Sequence, residues 1–145
     1  MNTVNEMSLS FPSKSCNEAF ARSAVSAFIM NLDPTINELS DIKTAVSEAV
    51  TNCIVHGYRR VGGTIYIKGK ITDTGKIIIK IRDKGCGIED VEKAMEPLYT
   101  TAPEEERAGL GFAVMQSFCD KVRVKSKVGS GTTVTLEKTI APHNA

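Results

Sequence analysis

The sequence is short of histidine, of paired cysteines, of long apolar runs and of net charge, and each shortage closes off a class of function. Only His56 and His143 are present, so histidine relays and multi-histidine metal sites have little material. Many hydrolases and metalloenzymes are thereby removed. Cys16, Cys53, Cys86 and Cys119 stand far apart with no C-x-x-C pair among them, which argues against a zinc knuckle or a disulfide framework. They read as reduced, mostly core thiols. No apolar stretch reaches the roughly 18 residues of a membrane span, and Met1 to Glu6 lack the basic-then-apolar order of a signal peptide; the expectation is a cytoplasmic protein with no membrane partner. Lys and Arg number 18 against 17 Asp and Glu, a formal charge of +1. The overall balance gives no reason to expect a nucleic-acid partner, so any charged contact must be local. The pattern G-x-x-x-x-G-K-[ST] is also absent, and a phosphate grip, if there is one, cannot be a P-loop.

What is there is 145 residues, 41% of them hydrophobic, enough for one domain spanning 1–145 and no second. Met7, Leu9 and Phe11 alternate with Ser8 and Ser10, the two-residue period of a half-buried strand. From Asn17 the spacing turns helical, with Phe20, Ala24 and Phe28 beside Val25, Ile29 and Leu32. Asp33-Pro34 stops that helix and can start the next, Asp33 as N-cap and Pro34 at the first position. Leu39, Ile42, Val46, Ala49 and Cys53 form the buried stripe of this second helix, which should end near Gly57-Tyr58. Ile65 and Ile67, a turn at Asp73-Thr74-Gly75, then Ile77, Ile79 and Ile81 predict an antiparallel hairpin. Glu89 to Glu96 offers one or two helical turns. Leu110 to Phe118 is helical again with Leu110, Val114 and Phe118 on one face, and Val122 to Val124 and Thr132 to Leu136 supply two last strands. Hairpins with helices grouped between them predict an α+β two-layer sandwich, its sheet mixed but mostly antiparallel and its helices on one face.

Four local patterns carry chemistry. Thr44, Glu48, Asn52 and His56 repeat every four residues as one polar ridge on the second helix, away from the apolar stripe. Taken alone such a ridge is a solvated face. Asp83-x-Gly85-x-Gly87 follows a strand; its acceptor-only carboxylate can take a hydrogen bond from an exocyclic amine, and glycines let backbone approach a flat ring. Alone it is a tight turn. Gly109-Leu110-Gly111-Phe112 opens a helix, whose free N–H groups and positive dipole end can hold phosphate oxygens. Gly129-Ser130-Gly131-Thr132-Thr133 alone is a hairpin turn.

In this order the four patterns resemble the ATP-binding signature shared by the gyrase, Hsp90, histidine-kinase and MutL ATPases, over about residues 17 to 138. The Bergerat-type ATP-binding fold of that superfamily is the implied architecture. Asn17 to Arg22, Leu32-Asp33-Pro34-Thr35, Ser47 to Asn52 with His56-Gly57-Tyr58, and Pro97 to Thr101 resemble more closely the anti-sigma F family of sporulating bacteria, whose members are serine kinases as well as sigma-factor inhibitors. That resemblance implies ATP and ADP as ligands with Mg²⁺ as cofactor. It implies Asn52 as the Mg²⁺ ligand and Glu48 as the general base that orients the attacking hydroxyl. Asp83 would fix the adenine amine, helped by Gly85, Gly87 and Thr132. Gly109, Leu110 and Gly111 would line the phosphates, while Thr100 to Arg107 forms a lid whose basic end reaches developing charge. Relatives carry lysine where this chain has Ala102, so the grip would rest more on Arg107. Arg22 matches a residue that contacts both the sigma factor and the anti-anti-sigma protein that accepts phosphate; a homodimer, through edges left by the first strand and helix, is implied likewise.

Two other readings stay open. One is a stress-response anti-sigma switch kinase; the other is a nucleotide-gated sigma-binding module in which no phosphate moves, against which Glu48 speaks. A sensor histidine kinase would need a phosphoacceptor hairpin, and a gyrase-type ATPase a transducer domain, for which the chain has no room.

Overall fold

The computed structural model describes residues 1–96 and 111–141. Strands β1 (Thr3–Pro12), β2 (Thr64–Thr72), β3 (Lys76–Asp83), β4 (Lys121–Lys127) and β5 (Gly131–Thr139) form one sheet in the order β1-β2-β3-β5-β4. All four pairings are antiparallel. Side chains alternate between faces, and Ile65, Ile67 and Ile71 of β2 with Ile77, Ile79 and Ile81 of β3 are each 3% exposed or less. Burying one isoleucine contributes about 1.5–3 kcal/mol. A one-residue slip of either strand would turn its three isoleucines outward, so the isoleucines fix the register.

The helices cover that isoleucine face, as the α+β sandwich expected. Helix α1 (Asn17–Ile29) buries Ala21, Val25 and Ile29. Helix α2 (Ile36–Asn52) buries Ile42, Ala45, Val46, Ala49 and Val50, and these join the strand isoleucines in one core. Gly69 lets α1 close down on the sheet: a Cβ there would sit 2.9 Å from the Phe28 ring. The short helix α3 (Val91–Ala94) is capped by Asp90, which accepts from the Lys93 N–H at 3.1 Å. Helix α4 (Gly111–Phe118) then packs on α2 through Met115, which is fully buried. Among the described residues no helix is long and apolar enough to cross a membrane.

Several local expectations shift. Phe20 is half exposed and meets Phe11 edge-to-face at 5.8 Å, while the adjacent Ala21 takes the core position. The second helix is not capped by Asp33. That residue takes a left-handed φ of 51° and closes a 3-10 turn over Met30–Leu32. Thr35 is the N-cap instead: its hydroxyl accepts from the Glu38 N–H at 3.1 Å and the Glu38 carboxylate accepts from the Thr35 N–H at 2.8 Å. This reciprocal pair satisfies two open donors, one more than an Asp33 cap would. On α4 it is Met115, not Val114 or Phe118, that reaches the core; Leu110 lies outside the described residues. The cysteines are free as expected, but Cys16 and Cys86 are exposed and only Cys53 is fully buried.

Candidate functional site

At its C-terminal end α2 does not stop but widens. Cys53–Gly57 form a π turn in which the Tyr58 N–H donates to the Cys53 carbonyl at 2.8 Å, five residues back. Such turns cluster at functional sites because the extra residue re-aims side chains. Asn52, the last residue of α2, and Cys53 and His56 of this turn line a cavity of about 350 Å³ together with Asp83, Gly111 and Thr132. Arg59, in a left-handed conformation with φ 51°, is the one cation that the described residues place in the wall.

Asp83 is the most constrained polar group of the site. It is 3% exposed, and its carboxylate accepts from the Gly85 N–H at 2.9 Å. The Cys53 thiol and the Thr132 backbone N–H also donate to it. Burial pushes its pKa up from the ordinary value, and those donors pull it back only in part. Burial and the neighbouring Asp83 charge in turn hold the Cys53 thiol well above the usual range, so Cys53 keeps its proton and acts as a donor. Tyr58 completes the frame, donating to the Thr64 carbonyl at 2.6 Å and accepting from the Lys84 N–H at 2.7 Å.

The glycines do more than give a ligand room. A Cβ on Gly85 would stand 2.0 Å from the Gly57 carbonyl oxygen, one on Gly57 would meet the Asp83 carboxylate at 2.6 Å, and one on Gly87 would meet the Lys127 carbonyl at 2.2 Å. Three backbone segments touch without side chains between them. Ser126, on β4, ties the same corner: its hydroxyl accepts from the Ile88 N–H at 2.7 Å and lies 2.7 Å from the Thr132 hydroxyl.

Asn52, also in the cavity wall, packs on the first residue of α4. Its amide atoms lie 3.0 Å from where a Gly111 Cβ would stand, which puts the helix opening beside a hard oxygen donor. Glu48 lies one turn before Asn52 and is 3% exposed, a buried group rather than part of a solvated ridge. The cavity wall includes Asn52 but not Glu48. Arg22 is remote from this cavity, on α1, where it pairs with Glu18 at 3.3 Å. Thr100, Ala102, Arg107, Gly109 and Leu110 lie outside the described residues.

Asp83, Gly87, Asn52, Gly111 and Thr132 therefore meet at one cavity, with Gly85 behind it. Cys53, Tyr58, Arg59 and Ser126 were missed as site residues. Cys53 fell on the apolar stripe and read as core, and only the π turn gives it a second role. Among the described residues no cluster of three or more His, Cys, Asp or Glu could hold a metal alone, so a divalent ion here would need nucleotide oxygens beside Asn52.

The histidine kinase-like ATPase domain family matches residues 11–138, and this domain implies nucleotide binding. Proteins named "Anti-sigma F factor" are similar over nearly their whole length. One from a Thermoanaerobacter species is 59% identical over 140 residues, covering 97% of both chains. Another, from Caldanaerobacter subterraneus, is 60% identical over 140 residues at the same coverage, and one from Halalkalibacterium halodurans is 54% identical over 142. Among solved structures, the RsbU and RsbW domains of a Mycobacterium tuberculosis protein superpose with a TM-score of 0.67 at 15% identity, over 94% of this chain and 33% of that one. That likeness carries the fold. Buried Asp83, the Asn52–Gly111 contact and the matched relatives together place the chain in the anti-sigma F factor family of histidine kinase-like ATPase domains.

Proposed function

We propose that this protein binds and inhibits a sigma factor and, as an ATP-dependent serine kinase, phosphorylates the anti-anti-sigma protein that opposes it. The observation that carries the reading is the cavity whose wall holds both a buried carboxylate and, beside the opening of α4, Asn52. Asp83 suits an exocyclic amine, since an ionised carboxylate only accepts hydrogen bonds. Thr132 and Gly87 line the same cavity. Asn52 offers Mg²⁺ one hard oxygen, and the ion would neutralise charge between phosphates. Gly111, with Gly109 and Leu110 before it, would present N–H groups to those phosphates, and Thr100 to Arg107 would close over them.

In the transfer itself the seryl oxygen forms a bond to the γ-phosphorus as the bond to the bridging oxygen of ADP breaks, and Glu48 takes the seryl proton. Phosphoryl transfer depends mainly on positioning and charge neutralisation, so the shortage of histidine is no obstacle. Arg22 would serve both protein partners from α1. Half-exposed Phe20, close to the β1 edge, supports a homodimer built on β1 and α1.

One observation favours a second reading, a nucleotide-gated sigma binder without transfer: Glu48 is buried and outside the cavity wall. A stress-response type of switch kinase would share the same site and differ only in its partners. The deciding experiment is transfer from γ-labelled Mg-ATP to the anti-anti-sigma protein of the same organism, beside Glu48→Ala. Label on serine that disappears in the variant, with ATP and sigma binding retained, is the expected result. Absence of label with ATP bound would overturn the kinase in favour of the gated binder.

A further inference from the structure

The face of the sheet turned away from the helices has a charge that the overall composition conceals. β2 and β3 present Lys68, Lys70, Lys76, Lys80 and Arg82 on it. β4, whose alternate residues are all exposed, adds Lys121, Arg123, Lys125 and Lys127. The Lys84 ammonium leans over the Tyr66 ring on the same face, 4.9 Å from its centre. Ten of the chain's 18 cations thus share one side with two strand carboxylates, Glu6 and Glu137. The local excess is eight positive charges, and the rest of the chain carries an excess of seven negative ones. The near-neutral total hides this local excess.

Edge protection accounts for part of this. Lysines on β4 discourage another chain from pairing with that open edge. It does not account for β2 and β3, which have a strand on each side. There Lys68 stands directly opposite Lys80, a like-charge cross-strand pair that costs stability. The ion pairs that the described residues form on this face, from Lys76 at 3.4 Å and Arg123 at 3.1 Å, both end on the buried Glu137. An uncompensated cost on a surface free to carry any polar residue points to a ligand.

The make-up of the face says which ligand. Protein–protein interfaces are depleted in lysine and anchored by aromatics, whereas this face has eight lysines, with Tyr66 and Ile78 as its large uncharged side chains. Ser8, Ser10, Thr133 and Thr135 fill the positions between, and lysine, arginine and short hydroxyls are the groups that hold phosphate oxygens. A single strand would need a row of aromatics to stack on, and folded RNA is recognised through its loops. A stiff duplex with evenly spaced phosphates suits a broad array of point charges. We propose that the open face of the sheet docks on duplex DNA through its phosphates, without reading sequence, on the side of the molecule away from the helices. A second copy is not the occupant, because two such faces repel.

The test uses the full chain with ATP and a fluorescent random-sequence duplex, followed by anisotropy from 50 to 200 mM salt. Six or more phosphate contacts predict a loss of roughly 10³-fold in affinity across that range. The double variant Lys68→Thr with Lys80→Thr should make the slope of log affinity against log salt shallower by about two, while the thermal midpoint stays level or rises. Lys14→Thr with Lys43→Thr, equal in charge but off this face, should leave the slope unchanged. The proposal is overturned if the duplex does not bind at 50 mM salt, if the off-face variant changes the slope as much, or if the Lys68 and Lys80 variant changes nothing. Equal binding of polyglutamate would assign the face to an acidic protein, and tighter binding of a single strand of the same length would remove the duplex.

Discussion

The wall of the cavity around Asp83 and the surface of α1 around Arg22 are built on opposite principles. In the wall, backbone touches backbone: Gly85 lies against the Gly57 carbonyl, and the carboxylate between them is fixed by three donors. On α1, Arg22 is an intermediate-exposed side chain paired with Glu18 one turn away, an arrangement worth only about 0–1 kcal/mol. The wall admits no added methyl group at Gly57, Gly85 or Gly87, whereas Arg22 stands on a partly exposed helix surface. A nucleotide that never varies suits the first construction. The exchange of protein partners proposed for Arg22 suits the second.

The sharpest way to break this contrast is Gly85→Ala. The new Cβ would stand 2.0 Å from the Gly57 carbonyl oxygen, and since backbone must move, a loss of about 3 kcal/mol in urea unfolding is expected together with loss of ATP binding. Unfolding unchanged from the wild type would mean that the π turn and the loop after β3 are not locked together.

Asp83→Asn should separate binding from folding. ATP affinity is expected to fall about 10- to 100-fold, the worth of a charged hydrogen bond to the adenine amine. The unliganded protein should not weaken at neutral pH. Burial raises the Asp83 pKa above its ordinary 3.8, so the folded state binds the proton more tightly than the unfolded chain. Its stability contribution is then full below 3.8 and is lost as pH rises through the folded value. The Asn variant should lack that part of the pH profile. ATP affinity of the wild type should run the other way, falling as acid protonates the carboxylate; calorimetric titration across pH checks both.

Cys53→Ala is a smaller perturbation of the same wall. It removes one donor to Asp83 and should cost about 1 kcal/mol or less in stability. Because the lost donor favoured the charged carboxylate, the Asp83 pKa should rise further, and the drop in ATP affinity should be greater in mild acid than at alkaline pH. A pH-independent drop would make Cys53 a packing residue only. Arg22→Ala, the smallest change, should alter stability by under about 0.5 kcal/mol and leave ATP binding intact while weakening the protein partner. An unchanged partner affinity would take Arg22 out of the interface.

Alternation and helical spacing made the strands, the hairpin and both long helices legible, because a buried face imposes its period on the sequence. The isoleucines of β2 and β3 needed no further information. Asp33 misled because two residues, Asp33 and Thr35, could each cap, and the choice depended on the Glu38 side chain reaching back. The functional ridge was legible as a spacing, yet its environment was not: Glu48 is polar in the sequence and buried in the fold. Cys53 and Ser126 could not be picked out, since their partners lie 30 and 6 residues away, across a turn whose shape local pattern does not encode. The charge of the open sheet face was hidden by counting, because a total says nothing of sides.

The π turn at Cys53–Gly57 has one more consequence. In an α-helix each residue advances by about 100°, so one extra residue in a turn puts everything after it out of phase with everything before. α2 therefore keeps its phase with the sheet as far as the turn, and the residues that follow the extra one, His56 and Gly57 among them, are aimed at the cavity instead. Deleting a single residue from that turn would restore a regular helix and swing His56 and Gly57 away from Asp83, leaving the core in step and the binding site undone.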